Sequence, residues 1–313
     1  MSLTYLEMTV VGLVQGVSEL FPVSSLGHSV LFPALIGGSW ARDLDMSAPG
    51  SPYLDSLVAM HVATALALVI CFWGDWVRIV GALISSVRDR RIVTVEQRLA
   101  WLLVVATVPV GVAGLALDKV MREYLSKPVP ASLFLAVNGV VLFTVERLYR
   151  RQRAHRPVEV AAGAGGVEEH PGPSQHSEHG GSDDARLARL GWGEAIAIGA
   201  CQILALLPGI SRSGVTIAGG LLRGLSHRDA ARFAFLLATP VIAAAGVLKI
   251  PELARPEMHG AIGPVAVGSL VAGVGAYFSA RFLIRYFHTR TLTPFAIYCV
   301  IAGLGCLAYF SLA

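Results

Sequence analysis

Charge is what this sequence has least of. Only 15% of its 313 residues are Asp, Glu, Lys or Arg, against about a quarter in an ordinary soluble domain, and the mean hydropathy is +0.63. Six stretches, at 56–74, 100–117, 129–147, 232–249, 258–280 and 291–313, carry no charged residue except at their ends. Each approaches or exceeds the ~17 to 25 residues of a membrane-crossing helix, so a soluble globular domain is excluded and six spans are predicted. Cysteine is scarce too. Cys71, Cys201, Cys299 and Cys306 all lie in apolar sequence without metal-type spacing, which leaves them as packing residues. A basic n-region and a small-residue cleavage site are missing around Met8–Val17, so that stretch is expected to be retained structure and not a signal peptide.

The little charge there is falls unevenly. Segments 85–99, 146–190, 223–232 and 281–290 hold 17 Lys and Arg, whereas 42–55, 118–128 and 249–257 hold six, against seven acids. Basic loops favour the cytoplasm, which puts both termini outside if two further apolar segments enter and return on one side. Those segments, about 8–40 and 190–222, are broken near their middle by Pro, Gly and Ser. That pattern predicts re-entrant hairpins, with kinked spans as the plainer alternative. The expected fold is an all-α polytopic membrane protein with two inverted-topology repeats, 1–150 and 190–313. Each repeat is a re-entrant helical hairpin plus three transmembrane helices, and the site is expected where the repeats meet near the midplane. Residues 157–185 within the intervening segment 151–189 are rich in Gly, Pro, Ser, His and acid, the composition of a disordered cytoplasmic linker. The histidines there, His170, His176 and His179, read as solvated residues, not as metal ligands. The net charge of +4 reflects this loop asymmetry and gives no support for a nucleic-acid partner.

Function should sit where polar side chains interrupt the apolar hairpins, because polarity at bilayer depth is costly. Two such islands occur, Gln15 to His28 (QGVSELFPVSSLGH) and Gln202 to Thr216 (QILALLPGISRSGVT), and they resemble each other in their Gly-x-x-Gln, Pro, Ser and Gly order. In the second, Arg212 is a strong base at depth, and its planar fork matches phosphate oxygens. Gly209, Ser211, Ser213, Gly214 and Thr216 around it supply hydroxyls and a free backbone opening into a helix, the makings of an anion cradle. In the first, Glu19 is the sole acid, with Gln15 one helical turn earlier on the same face. Together they could ligate a hard divalent cation, or Glu19 could act as a buried proton acceptor. Ser24, Ser25 and His28 follow, with Ser25 and His28 spaced so that hydroxyl and imidazole can meet: His28 could deprotonate Ser25 for attack, protonate a leaving group or itself attack phosphorus, and the sequence leaves open which of the two is the nucleophile. His61, alone in MHVATALAL, reads as a structural hydrogen-bonder. A plainer reading pairs Arg212 with Glu19 simply to hold the hairpins together.

With those islands in place, the chain closely resembles the undecaprenyl-pyrophosphate phosphatase, or bacitracin-resistance protein, family. Gln15 to Glu19 matches its [E/Q]-x-x-x-E motif, Pro22 to His28 its P-V-S-S-x-G-H, Pro208 to Thr216 its P-G-x-S-R-S-G-x-T, and Pro294 to Tyr298 its late P-F-A-I-Y segment. The resemblance implies hydrolysis of undecaprenyl diphosphate to undecaprenyl phosphate, recycling of the lipid carrier for the cell wall, and bacitracin resistance. It further implies dependence on a divalent cation (Mg2+ or Ca2+), a place in the bacterial cell membrane, and an active site opening to the extracytoplasmic side. Catalytic or binding roles are carried onto Glu19, Ser25, His28, Ser211, Arg212, Ser213 and Thr216. The partners expected are a polyprenyl diphosphate lipid and the bilayer, and a homodimer is compatible with them. Gln15 stands where many members have Glu, Leu26 where many have a hydroxyl residue, and Cys299 where Arg is common. The first shifts the burden of charge onto Glu19.

Other classes account for fewer of these residues. A lipid or solute transporter would use inverted repeats and an anion clamp, but has no need of Glu19, Ser25 and His28 together. A phosphatidic-acid-type phosphatase would require a further Arg-Pro motif and a downstream His-x-x-x-Asp, whereas His227 has Asp229 two positions later. A scaffold protein would not explain Arg212.

Overall fold

The computed structural model describes residues 3–48, 51–120, 125–154, 184–253, 258 and 260–312, and the regular elements among them are helices joined by turns, with no strand. The chain begins with α1 (Tyr5–Ser18), opened by a capping box in which Thr4 Oγ1 accepts from Glu7 N and the Glu7 carboxylate accepts from Thr4 N. There follow α2 (Ser25–Ile36), α3 (Gly38–Asp43), α4 (Pro52–Cys71), α5 (Trp73–Asp89), α6 (Val95–Val120) and α7 (Pro128–Ala154). The second part holds α8 (Trp192–Cys201), a 3-10 turn at Gln202–Leu206, α9 (Arg212–Leu222), α10 (His227–Leu253), α11 (Ile262–Tyr286) and α12 (Thr293–Leu312).

Six of these helices, α4, α6, α7, α10, α11 and α12, are long and apolar enough to cross a membrane, and they correspond to the six predicted spans. The two island-bearing segments are different. Each is a helix, a break and a second helix, and at 1.5 Å per residue, or about 2 Å in a 3-10 turn, no piece of either, Trp192–Leu206 included, reaches the ~30 Å of a bilayer core.

One element differs from the sequence reading. Residues 73–89 form a separate helix, α5, after α4 stops at Cys71. Its Trp73, Val77, Val80, Ile84 and Val87 are exposed at helical spacing while Asp75 and Arg78 turn to the other side. A two-sided helix of this kind suits the plane of a bilayer surface. On its polar side Arg78 bonds Asp184 (3.3 Å), and Asp184 also takes Arg232 of α10 (2.6 Å). Residues 155–183, most of the predicted linker, lie outside the described residues. Residues 184–188, which the sequence placed within that linker, instead form a helical turn whose Leu187 is fully buried, and Arg98 Nε donates to Ala188 O at 2.6 Å.

The helices that carry the site pack very closely. α7 and α12 approach backbone to backbone, so that a Cβ on Gly139 would come within 2.6 Å of Ala296 O. Such small-residue contacts replace the hydrophobic drive that lipid removes, and they fix both helices as a platform.

Candidate active site

The first break has a covalent cause. Pro22 cannot donate a backbone hydrogen bond and disfavours helix at Phe21 before it, so α1 ends at Ser18 and the chain turns. Ser24 then adopts φ +71°, unusual for a residue with a Cβ. Its hydroxyl sustains that strain by accepting from Gly27 N and from Gly209 N, both at 3.2 Å, and the second of these bonds already crosses to the other island.

The second break follows the same design. Gly209 sits at φ +110°, and a Cβ there would lie 2.4 Å from Ala131 O and 2.6 Å from Leu135 N of α7. No other residue fits that position. Ser211 caps α9 by accepting from Gly214 N at 3.1 Å, as Ser24 caps α2.

The two breaks meet and interlock. Ser213 Oγ and Ser211 Oγ donate to Phe21 O, at 3.2 and 3.4 Å. Fully buried Asn138, near the middle of α7, donates to Pro22 O at 3.1 Å and accepts from Ser211 N at 3.0 Å, joining both loops through one amide.

At the centre of this knot Arg212 Nη2 donates to Glu19 Oε1 in a short contact, while Nη1 donates to Ala238 O of α10 at 3.1 Å. The other carboxylate oxygen, Oε2, accepts from Ser25 Oγ at 2.5 Å and from Gln15 Nε2 at 2.8 Å, and lies 3.3 Å from His61 Nε2. Glu19 is thus ringed by donors and 5% exposed, whereas the Arg212 side chain keeps 16% of its surface open. Such a guanidinium can turn from carboxylate to phosphate oxygens without leaving its seat. His61 and Ala238 are mid-helix residues of α4 and α10, so the charged core lies at mid-depth of the helices that bound it.

His28 stands one turn along α2. Its Nδ1 lies 2.7 Å from Ser24 O and its Nε2 2.7 Å from the hydroxyl of Tyr298 on α12. The expected Ser25–His28 hydrogen bond is not formed, because Ser25 turns to Glu19 instead. Thr216 donates to Arg212 O at 2.7 Å and braces the first turn of α9. The structure therefore brings Gln15, Glu19, Ser25 and Arg212 into one hydrogen-bonded cluster, and sets Ser24, Gly209, Ser211, Ser213 and Gly214 as the loop scaffold beside it. His28 borders that cluster.

A buried cation, a carboxylate, hydroxyls and an imidazole on converging helix ends are parts for work on a phosphate ester or anhydride. Comparison with known proteins agrees. Residues 8–305 match the family model of bacitracin resistance protein BacA. The chain belongs to the BacA family. It is 57% identical over 311 residues to the undecaprenyl-diphosphatase of Mycolicibacterium paratuberculosis, covering 99% of this chain and 98% of the relative, and equally to that of Mycobacterium avium. The undecaprenyl-diphosphatase of Granulibacter bethesdensis is 38% identical over 316 residues, covering 100% of this chain and 99% of the relative.

Three residues of this BacA-family site escaped the sequence reading. Asn138 had a signal, since an amide within the apolar run of α7 requires partners. His61 had the same composition signal as any lone membrane histidine. Tyr298 lies in the late P-F-A-I-Y segment, where nothing local ties it to His28, 270 residues earlier.

Proposed function

We propose that this chain is an integral-membrane undecaprenyl-diphosphatase that converts undecaprenyl diphosphate to undecaprenyl phosphate and inorganic phosphate. In this role it recycles the lipid carrier for cell-wall synthesis and confers bacitracin resistance. The observation that carries the reading is the Arg212–Glu19 contact between the two broken hairpins. A guanidinium held there by one carboxylate and one carbonyl has donors to spare for a diphosphate whose polyprenyl tail lies in lipid.

In this mechanism Arg212 binds the diphosphate oxygens, joined by the hydroxyls of Ser211 and Ser213 as they exchange Phe21 O for phosphate, with Ser24, Gly209, Gly214 and Thr216 shaping the loops that present them. Glu19 anchors Arg212 and orients Ser25. His28 supplies the lone pair: Nε2 either takes a proton from an attacking water or itself adds to the terminal phosphorus. As the new bond forms, the bridging P–O bond breaks and its electron pair leaves with undecaprenyl phosphate; where Nε2 is the attacking atom, a water then cleaves the N–P bond, releasing inorganic phosphate and returning the lone pair to Nε2. Positioning and charge neutralisation provide most of the acceleration in such a step.

One acceptor here is open to a divalent cation, Mg2+ or Ca2+, while the Glu19 oxygens would have to exchange their present donors for it. Gln15 Oε1 is buried with no hydrogen-bond partner, an orphan acceptor one turn before the Glu19 carboxylate. A cation held by these two would neutralise charge on the diphosphate, with water and substrate completing its shell.

The remaining features follow from topology. The matching Ser caps at Ser24 and Ser211, each closing a broken helix, support the reading of 1–150 and 190–313 as inverted repeats. The excess of basic residues in 85–99, 146–190, 223–232 and 281–290 supports a site opening to the extracytoplasmic side of the cell membrane. A homodimer is compatible, since every residue named comes from one chain.

The test is phosphate release from a polyprenyl diphosphate by the purified protein in detergent. Cation-stimulated release is expected. Binding of the lipid without any release would replace this reading with that of a carrier.

A further inference from the structure

Tyr298 is a half-exposed side chain with a contact that the reaction must deal with. It projects from α12, which the close approach to α7 holds rigidly, and its neighbour Cys299 is fully buried with Sγ 3.7 Å from Pro22 O and 3.3 Å from Asn138 Nδ2. The phenol is therefore placed against the first island by the same platform that binds the loops together.

The hydrogen-bond partners of His28 fix how its protons are arranged. Ser24 O can only accept, so Nδ1 carries the hydrogen in that 2.7 Å bond. Nε2 of the neutral ring is then bare, and the hydroxyl of Tyr298, at 2.7 Å, is its donor. The rings also stack, with centroids 5.8 Å apart and planes 11° from parallel. The lone pair that the reaction needs is thus occupied by a phenol in the free protein. A water proton or a phosphorus atom reaches Nε2 only when that hydroxyl moves aside.

We infer that Tyr298 is a positioning residue for the reaction, which caps His28 Nε2 in the free enzyme and passes its hydrogen bond to a phosphate oxygen of the arriving diphosphate. The phenol keeps its proton throughout; only its acceptor changes. Its 46% exposure leaves the ring room to make that change, and two torsions suffice. The inference rests on the assignment of His28 as the group that supplies the lone pair.

Tyr298 meets the imidazole from α12, where the Cys299 and Cys306 thiols lie close enough to act on the phenol electrostatically. From α1, the Glu19 carboxylate reaches α2 through Ser25 and not through His28.

The deciding experiment is Tyr298→Phe, which keeps the ring and removes the hydroxyl, followed by pH profiles of kcat/KM and kcat for phosphate release from a polyprenyl diphosphate. A donor on bare Nε2 favours the unprotonated ring, so losing it makes His28 easier to protonate in the free enzyme. The acid limb of kcat/KM, which reports the free enzyme, is expected to move to higher pH, while that of kcat, which reports the bound complex, stays in place. Loss of one hydrogen bond to phosphate is expected to lower kcat/KM at the optimum by about tenfold. Unchanged profiles with near wild-type rates would overturn the inference, and equal movement of both limbs would overturn the exchange of acceptors. Tyr298→Leu and thermal unfolding of both variants separate loss of the hydroxyl from loss of packing. Full turnover in a folded His28→Ala protein would instead remove the assignment of His28, an outcome distinct from any result at position 298.

Discussion

Two buried charge clusters in this molecule look alike by composition and differ in what carries them. One joins Glu19 to Arg212, and the other joins Asp75, Arg78, Asp184 and Arg232. In the second, α5, α10 and the turn at 184–188 are tied together, Asp184 is bonded by two arginines, and both aspartates are shared. It is a staple. In the first, the charges sit at the ends of broken helices and the loops are held by side-chain-to-backbone bonds; each cluster keeps one buried atom without a hydrogen-bond partner, the acceptor Gln15 Oε1 in the first and the donor Arg232 Nη1 in the second. Burial, pairing and spare polar valence do not separate function from structure here; broken backbone does.

The largest effect that would sharpen this contrast is at the guanidinium. Arg212→Ala or Glu19→Gln is expected to cut kcat for phosphate release by about two to three orders of magnitude, the usual cost of removing a principal charge-stabilising group. The proteins should still elute as monodisperse species in detergent, because the loops retain their Ser24, Asn138 and Ser211 bonds. Near-normal turnover in Arg212→Ala would make the first cluster a staple as well.

The staple should respond the opposite way. Asp184→Asn or Arg232→Met leaves a buried charge without its full complement, a change that typically costs about 3 to 5 kcal/mol. Asp184 and Arg232 side chains are 2% and 8% exposed, so water can do little to compensate. A clearly lowered unfolding temperature is expected, with turnover per folded molecule within a few-fold of wild type. If turnover collapsed while stability held, the two clusters would be coupled and the contrast would be lost.

The sequence disclosed the parts of this contrast unequally. Six spans were legible because length and the absence of charge decide whether a helix crosses a membrane. Glu19 and Arg212 were legible because ionised groups at depth require partners. α5 was not, since a two-sided helix lying beside a span blurs into it when only apolar content is read. The partner of Ser25 was misread because sequence proximity favoured His28, three residues away, whereas the turn at Phe21–Ser24 aims the hydroxyl back at Glu19. His61 was read as structural because a lone histidine in an apolar run carries no mark of what faces it. The approach of α4 to the end of α1, which brings it to Glu19, is set by packing across the whole bundle.

Asn138 gives the subtlest probe of the comparison, because it belongs to neither cluster and yet sets the geometry of one. Its amide spans the two loops by donating to Pro22 O and accepting from Ser211 N. Asn138→Leu keeps the volume and removes both bonds, leaving two buried backbone groups to find partners. The loops should then hold Arg212 less tightly over the diphosphate, and misplacement on this scale lowers rates without touching the chemistry. A fall of about tenfold in kcat is expected, in line with one to two lost hydrogen bonds. Asn138→Asp separates the two bonds, since a carboxylate keeps the acceptor for Ser211 N and loses the donor to Pro22 O. If the bond to Ser211 is the one that aligns Arg212, Asn138→Asp should retain more activity than Asn138→Leu. Equal loss in the two would place the alignment in the bond to Pro22, on the Glu19 side of the knot.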